Sequence, residues 1–500
     1  MTTKPDYVAI GIFVAFFLLV VVLGFWASRW KRSSEATNLD EWGLGGRRFG
    51  VWITWFLVGG DFYTAYTIIA VPALVYAVGA YGFFALPYTI IVYPFVFLIM
   101  PLLWKTAKQQ GHVTAADVVY GYYGSRALEL AVALTAVVAT MPYIALQLVG
   151  MITVLGALGL RGEVPLIIAF LVLAVYSYSS GLRGPALIAV LKDVMVYIAV
   201  IAAVAVIPGK LGGYGAVFAA AEQAFKAKAA GGILLKPSEF VPYASLALGS
   251  ALAAFMYPHT LTGVFASKSA NTVRHNAMLL PAYTLLLGLL ALLGYMGHAA
   301  HLSITNNNDV VPALFKALFP SWFAGFTFAA IGIGALVPAA VMSIGAANVF
   351  TRNFWKTYVN PSVSPEAEAG VAKIASLVVQ VGALLAILYL PIQFALQLQL
   401  LGGLWILQTL PAVVFGLFMQ RLKASSLLAG LIAGLASGTW FIWSDGLKPI
   451  HHVALGTFSV SLYTGLLALV INLVVLGIVH LATSFGANRS DVSGSLPTRE

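Results

Sequence analysis

Residues 55–65 read Trp55-Phe56-Leu57-Val58-Gly59-Gly60-Asp61-Phe62-Tyr63-Thr64-Ala65. Asp61 is the one Asp, Glu, Lys or Arg between Phe49 and Trp104. A run so long and apolar is membrane-embedded, and Gly59-Gly60 loosens its helical backbone just before the acid. A carboxylate at that depth is costly and persists by facing a polar cavity, a partner or an ion path. The stretch therefore predicts a membrane protein with a polar route through it, a transporter before any other class.

Composition agrees. Of 500 residues, 61% are hydrophobic and 9% charged, and the mean hydropathy of +0.93 is far from a soluble balance. Stretches 130–160, 276–308, 317–351, 374–420 and 449–488 also lack Asp, Glu, Lys and Arg. Several exceed the roughly 20 residues a helix needs to cross a bilayer. They are continuous rather than alternating, which excludes a barrel. With no cysteine there is no disulfide framework, thiol chemistry or Cys-based metal site. The net charge of +10 lies between apolar runs, so loop bias explains it and no nucleic-acid partner is expected.

Thirteen spans are expected, at about 7–27, 51–78, 81–104, 127–157, 164–180, 185–207, 241–266, 276–300, 321–350, 371–391, 396–420, 425–444 and 455–482. With the N-terminus outside and the C-terminus cytoplasmic, 19 of the 27 Lys and Arg fall on the cytoplasmic side. Lys31, Arg32, Arg47, Arg48, Arg183, Lys192, Lys268, Arg274 and Arg499 are among them, against Lys4, Arg161 and six others outside. The first segment is a retained helix rather than a cleaved signal, because its positive cluster follows it. Residues 1–50 form an N-terminal extra helix and cytoplasmic loop. Residues 208–240 form an external loop, read from 209 as a helical hairpin or lid. Residues 421–485 hold C-terminal extra helices, and 486–500 a polar, disordered tail. No soluble enzymatic domain is appended, and no enzyme activity or cofactor is expected.

Two spans should break. Gly59-Gly60-Asp61 interrupts the second, and Tyr257-Pro258-His259-Thr260 the seventh, where Pro258 frees backbone groups at depth. Each break opens a set of five spans, 51–207 and 241–420. Interrupted helices at corresponding places in two inverted repeats point to a midplane binding site. Free N–H groups at a half-helix start attract a carboxylate, and free carbonyls attract a cation. Either break alone is ordinary for membrane Gly and Pro.

In this light the chain resembles the sodium:solute symporter family, in its short-chain monocarboxylate permease branch, over nearly its whole length. Gly60-Asp61-Phe62-Tyr63-Thr64-Ala65 is similar to the Gly-Asp-Tyr-Met-Ser-Ala of acetate permeases. Thr114-Ala115-Ala116-Asp117-Val118 with Tyr123-Gly124-Ser125 looks like the family's loop after its second core helix. Arg183-Gly184-Pro185-Ala186 before Asp193 keeps the spacing of a family signature. Tyr257-Pro258-His259-Thr260-Leu261-Thr262-Gly263, Ala335-Leu336-Val337-Pro338-Ala339-Ala340 and Phe350-Thr351-Arg352-Asn353 resemble the monocarboxylate branch.

The resemblance implies an all-α integral membrane fold with a five-plus-five inverted-repeat core of the leucine-transporter type and flanking helices. It also implies uptake of small carboxylates such as lactate, pyruvate, acetate or propionate with a proton or sodium ion. Sodium-coupled members use two neighbouring hydroxyls of the eighth core helix. The matching positions here are Val337 and Pro338, with Gly334 flanking, so a protonatable Asp61 becomes the more attractive coupling group.

The candidate cation or proton site is therefore Asp61 with Gly60, Gly334 and Asp193, although Asp61 could instead cap the half-helix after Gly60. Candidate substrate residues are Tyr63, Thr64, Tyr66, Tyr143, Gln147, Tyr257, His259 and Thr260. Tyr66 could simply pack; Tyr143 and Gln147 share a helix face and could be interhelical glue. His259 either donates to a carboxylate or holds a freed carbonyl. Asp193 beside Lys192 reads as a gate or cation relay, or as an interfacial ion pair with Arg183. No Arg or Lys is expected at mid-membrane as a substrate partner. No phosphate-binding motif appears, so no ATPase subunit is expected. The rivals to a symporter are a sodium-coupled carrier of another small solute such as an amino acid, a passive channel, and a sensor module.

Overall fold

The computed structural model describes residues 5–493 apart from 31–37, 62, 161, 229–230, 390–394, 420 and 457. Residues 494–500 of the tail, and the charges Lys4, Lys31, Arg32, Arg161 and Arg499, lie outside the described residues. Helix α1 (Tyr7–Ala27) is capped by Asp6, which accepts the N–H of Ala9 at 3.1 Å. The next span is in pieces: α2 (Val51–Thr54) passes into a π-helical turn at Trp55–Gly59, and helix resumes as α3 (Tyr66–Val78). Four long helices follow: α4 (Ala80–Gln110), α5 (Arg126–Ala157), α6 (Glu163–Ser180) and α7 (Arg183–Lys210).

After the loop helix α8 (Tyr214–Lys228), α9 (Phe240–Ala254) and α10 (Pro258–Phe265) form one span bent by 50°. Then come α11 (Ala270–Ala299), α12 (Ser321–Val359), α13 (Pro365–Tyr389), α14 (Ala395–Leu407), α15 (Leu410–Phe415) and α16 (Ala424–Ser444). A hairpin of β1 (Ile450–Leu455) and β2 (Phe458–Tyr463) precedes α17 (Thr464–Ser493). Among the described residues ten helices are long and apolar enough to cross a membrane, eleven with the bent pair. The shorter apolar helices Tyr66–Val78 and Leu400–Phe415 supply the other two of the thirteen expected spans.

Helix α12 is the axis of the bundle. Its apolar stretch is buried throughout, with α1, α5, α7 and α10 packed around it. Close approach depends on small residues, as elsewhere in membranes. A Cβ at Gly325 would lie 2.7 Å from Ala9 Cα, so only glycine lets α1 cross α12 there.

One end of the bundle is tied by a polar clamp. Thr114 and Asp117 form a capping box at the start of a short helix, Ala115–Tyr123. Buried Asn353 donates to Asp117 at 2.7 Å and Glu129 at 2.9 Å, and accepts from Thr114 at 2.7 Å. Arg352 and Lys356 close on Glu368 at 2.8 and 2.6 Å.

Three expectations need correction. Among its described residues the segment from 209 to 240 holds one α-helix, α8, and not a helical hairpin; Phe218 and Phe225 of α8 pack on Tyr295 of α11. The last span starts at Thr464, because Leu455 and Phe458–Tyr463 belong to the strands of the hairpin, with Gly456 at φ +62 just after the first. Helix α17 also runs past Gly486 to Ser493, so the disordered tail does not begin at Gly486.

Candidate functional site

Both breaks form where Gly and Pro predict them, and they meet. Asp61 Oδ2 accepts from Thr260 Oγ1 at 3.2 Å and lies 3.4 Å from His259 Nε2. Asp61 Oδ1, His259 Nδ1 and the Tyr257 hydroxyl are buried with no protein partner. Unpaired buried polar atoms are costly, and convergent ones mark a place for a ligand or water. Here they border a cavity of about 60 Å³. Asp61, Tyr66, Tyr143, Tyr257, His259 and Thr260 line it, joined by Tyr88, Ser250, Leu400 and Tyr463. The cavity is small and walled by rings, with hydroxyls, the His259 imidazole and one carboxyl as its polar side-chain groups.

Three expected substrate residues are not among its lining. Gln147 accepts the Ala65 N–H at 2.9 Å and donates to Tyr143 O at 3.2 Å. Thr64 accepts the Tyr66 N–H at 3.0 Å, while its own N–H goes to Thr67 Oγ1 at 3.0 Å. The N–H groups at the restart of the first broken span are thus taken by side chains. The N–H groups of Thr64, Ala65 and Tyr66 are not free for a substrate carboxylate, which corrects the expectation at this break. Tyr63 turns the other way, donating to Tyr283 O in a cluster with Thr67, Thr89 and Tyr93.

Behind Asp61 lies a second polar group. Lys192 Nζ donates to Gly60 O at 2.6 Å and to Tyr63 O at 3.1 Å. It also lies 2.9 Å from Asp193 Oδ1, an ion pair poorly aligned as a hydrogen bond. Tyr283 donates to Asp193 Oδ2 at 2.5 Å. Lys192 is 0% exposed and Asp193 1%. This corrects two expectations: a lysine is embedded against the broken span, and Asp193 pairs with it, not with Arg183. Arg183 instead pairs with Glu41. Gly60 admits this arrangement because a Cβ there would sit 2.6 Å from Asp193 Oδ2 and 3.0 Å from Lys192 Nζ.

Gly334 is buried on α12, where a Cβ would touch Ile68 at 3.2 Å. Val337 and Pro338 are buried on the same helix and carry no side-chain oxygen.

Sequence reasoning missed Tyr88, Ser250 and Tyr463. Ser250 is a lone polar side chain in an apolar context, and Tyr88 and Tyr463 lie outside the two interrupted segments that drew attention. Lys192 did carry a signal. It is nine residues into α7, about 14 Å along the helix, too deep for an interfacial anchor.

The sodium:solute symporter family profile matches residues 42–434. The chain is 68% identical over 480 residues to a "Monocarboxylate transport permease protein" of Rhizobium johnstonii, covering 96% of this chain and 98% of the relative. It is 35% identical to an uncharacterized symporter, YodF, of Bacillus subtilis, over 84% of each chain. Among solved structures, the substrate-bound outward-open state of a Na+-coupled sialic acid symporter superposes with TM-score 0.77. At 17% identity, over 95% of this chain and 97% of that one, the likeness is one of fold.

Proposed function

The chain belongs to the sodium:solute symporter family, and we propose that it imports short-chain monocarboxylates, of the lactate, pyruvate, acetate and propionate class, with a proton in preference to sodium. The observation that carries this reading is the Asp61 carboxyl at the edge of the tyrosine-lined cavity. Two carboxylates in so small a low-dielectric space repel strongly, and a cation taken up with the substrate removes that repulsion. A proton on Asp61 does so without taking any of the cavity's volume.

In this reading Tyr66, Tyr143, Tyr257, His259 and Thr260 contact the substrate. Gln147, Thr64 and Tyr63 shape the broken segment, and Gly60, Gly334 and Asp193 support the cation-responsive region. The cavity volume and its aromatic wall suit short acids better than sugars. The name of the Rhizobium relative supports the same class. Residues 51–207 and 241–420 serve as the two inverted repeats, in a cell membrane with the N-terminus outside and the C-terminus cytoplasmic.

The test is uptake of labelled lactate, pyruvate and acetate into proteoliposomes under a proton or a sodium gradient, at clamped voltage. Accumulation driven by the proton gradient supports the reading. Accumulation that needs sodium would transfer the coupling to that ion. Equilibration without accumulation under either gradient would make the protein a passive channel.

A further inference from the structure

A cation seat is recognised by oxygens converging on one point. Beside Asp61 there is such a point, formed by Gly60 O and Tyr63 O from the unwound segment and Asp193 Oδ1 from α7. Helical carbonyls are normally consumed four residues on. Gly60 O loses its usual partner four residues on because the chain leaves the helix at Asp61; it accepts the Tyr63 N–H at 3.0 Å and keeps a second lone pair for a cation. The seat is not open. The Lys192 ammonium is in it, at 2.6, 3.1 and 2.9 Å from the three oxygens.

We propose that Lys192 is a resident cation, whose ammonium occupies the seat that these three oxygens would otherwise offer to a sodium ion and thereby excludes sodium from it. Three arguments support this. An ammonium has donors and no acceptor, which suits a seat of two accepting carbonyls and one carboxylate oxygen held as its ion-pair partner. A fully buried lysine is tolerated only where its charge is compensated, and Asp193 lies beside it for that purpose. The distances leave no room for an ion between Nζ and the carbonyls. The α12 positions Val337 and Pro338 carry no side-chain oxygen with which to build a seat elsewhere on that helix.

Lys192 is thus a specificity-determining residue. It fixes the broken segment with a covalently tethered charge and leaves Asp61 as the group that answers to the transported ion. The inference deepens the symport reading and rests on it for the preference of proton over sodium. The seat itself can be examined without any substrate.

The test is thermal unfolding of the detergent-solubilised full-length protein in sodium chloride and in choline chloride at equal ionic strength. The wild type should melt at the same temperature in both salts. Lys192→Ser empties the seat and adds a hydroxyl oxygen, so sodium should raise its melting temperature by several degrees, through binding to the folded form alone. Lys192→Arg keeps the charge and should stay indifferent.

A sodium-dependent rise in the wild type would overturn the proposal. So would a folded Lys192→Ser protein that ignores sodium. Should neither variant fold, the wild-type comparison decides alone. Substrate counterflow without any ion gradient is measured in parallel. Its absence for every monocarboxylate would sink the substrate reading while leaving the sodium result standing.

Discussion

Gln147 and Ala65, 82 residues apart in sequence, are joined by a 2.9 Å hydrogen bond from the backbone of one to the side chain of the other. The bond fixes where helix restarts after Asp61, and it ties the first broken span to α5. It converts Gln147 from an expected substrate ligand into the strut that holds a binding segment in shape.

Gln147→Ala should leave the buried Ala65 N–H unpaired, at a cost of about 1–3 kcal/mol. Gln147→Leu keeps similar bulk without an acceptor and should melt well below the wild type. A Leu variant that melted with the wild type would show that the amide matters by packing alone.

Asp61→Asn keeps the side-chain size and an acceptor for Thr260, but cannot ionise. Accumulation of labelled lactate under an imposed proton gradient should vanish, while counterflow between equal pools persists. Retained accumulation would remove Asp61 from the coupling step.

Asn353 holds two buried carboxylates, Asp117 and Glu129, in one clamp. Its replacement by Ala should cost about 1–3 kcal/mol, since Asp117 keeps the Val113 and Thr114 N–H groups and Glu129 keeps Arg126. Asn353→Asp adds a third acid beside them and should melt lower still. The order of melting temperatures, wild type above Ala above Asp, is the readout.

His112 lies in the loop before the Ala115–Tyr123 helix, and burial pushes its pKa below the ordinary histidine value. The folded state therefore favours the neutral ring, and the unfolded chain takes the proton more readily. Stability from this group is present above the unfolded value of about 6.5 and lost as the pH falls through and below it. His112→Gln should flatten the acid-side fall of the melting temperature. A slope unchanged from the wild type would assign that fall to other groups.

The two breaks were legible because Gly60 and Pro258 act on the backbone directly, through conformational freedom and a missing N–H. Their meeting at Asp61 and Thr260 was legible only through the repeat symmetry. The environment of Lys192 was not. Charge position along a helix says how deep a residue lies, whereas helix rotation against neighbours decides whether it meets lipid, water or another backbone.

The N–H groups of the restart were misjudged for a related reason. Propensity counts orphan donors but does not show which side chains will take them, here the local Thr64 and Thr67 and the distant Gln147. The hairpin did leave a trace. Phe458-Ser459-Val460-Ser461-Leu462-Tyr463 alternates with period two, yet overall hydrophobicity drew it into the following span.

Tyr463 comes from that hairpin, outside both proposed repeats, and still walls the cavity. Its N–H is anchored to Ser245 Oγ at 2.9 Å, and its ring lies over Gly249 of the bent span. The peripheral part of the chain is therefore not ballast around a self-sufficient engine. If the cavity holds the substrate as proposed, a change at position 463 should alter which acids fit without touching either proposed repeat.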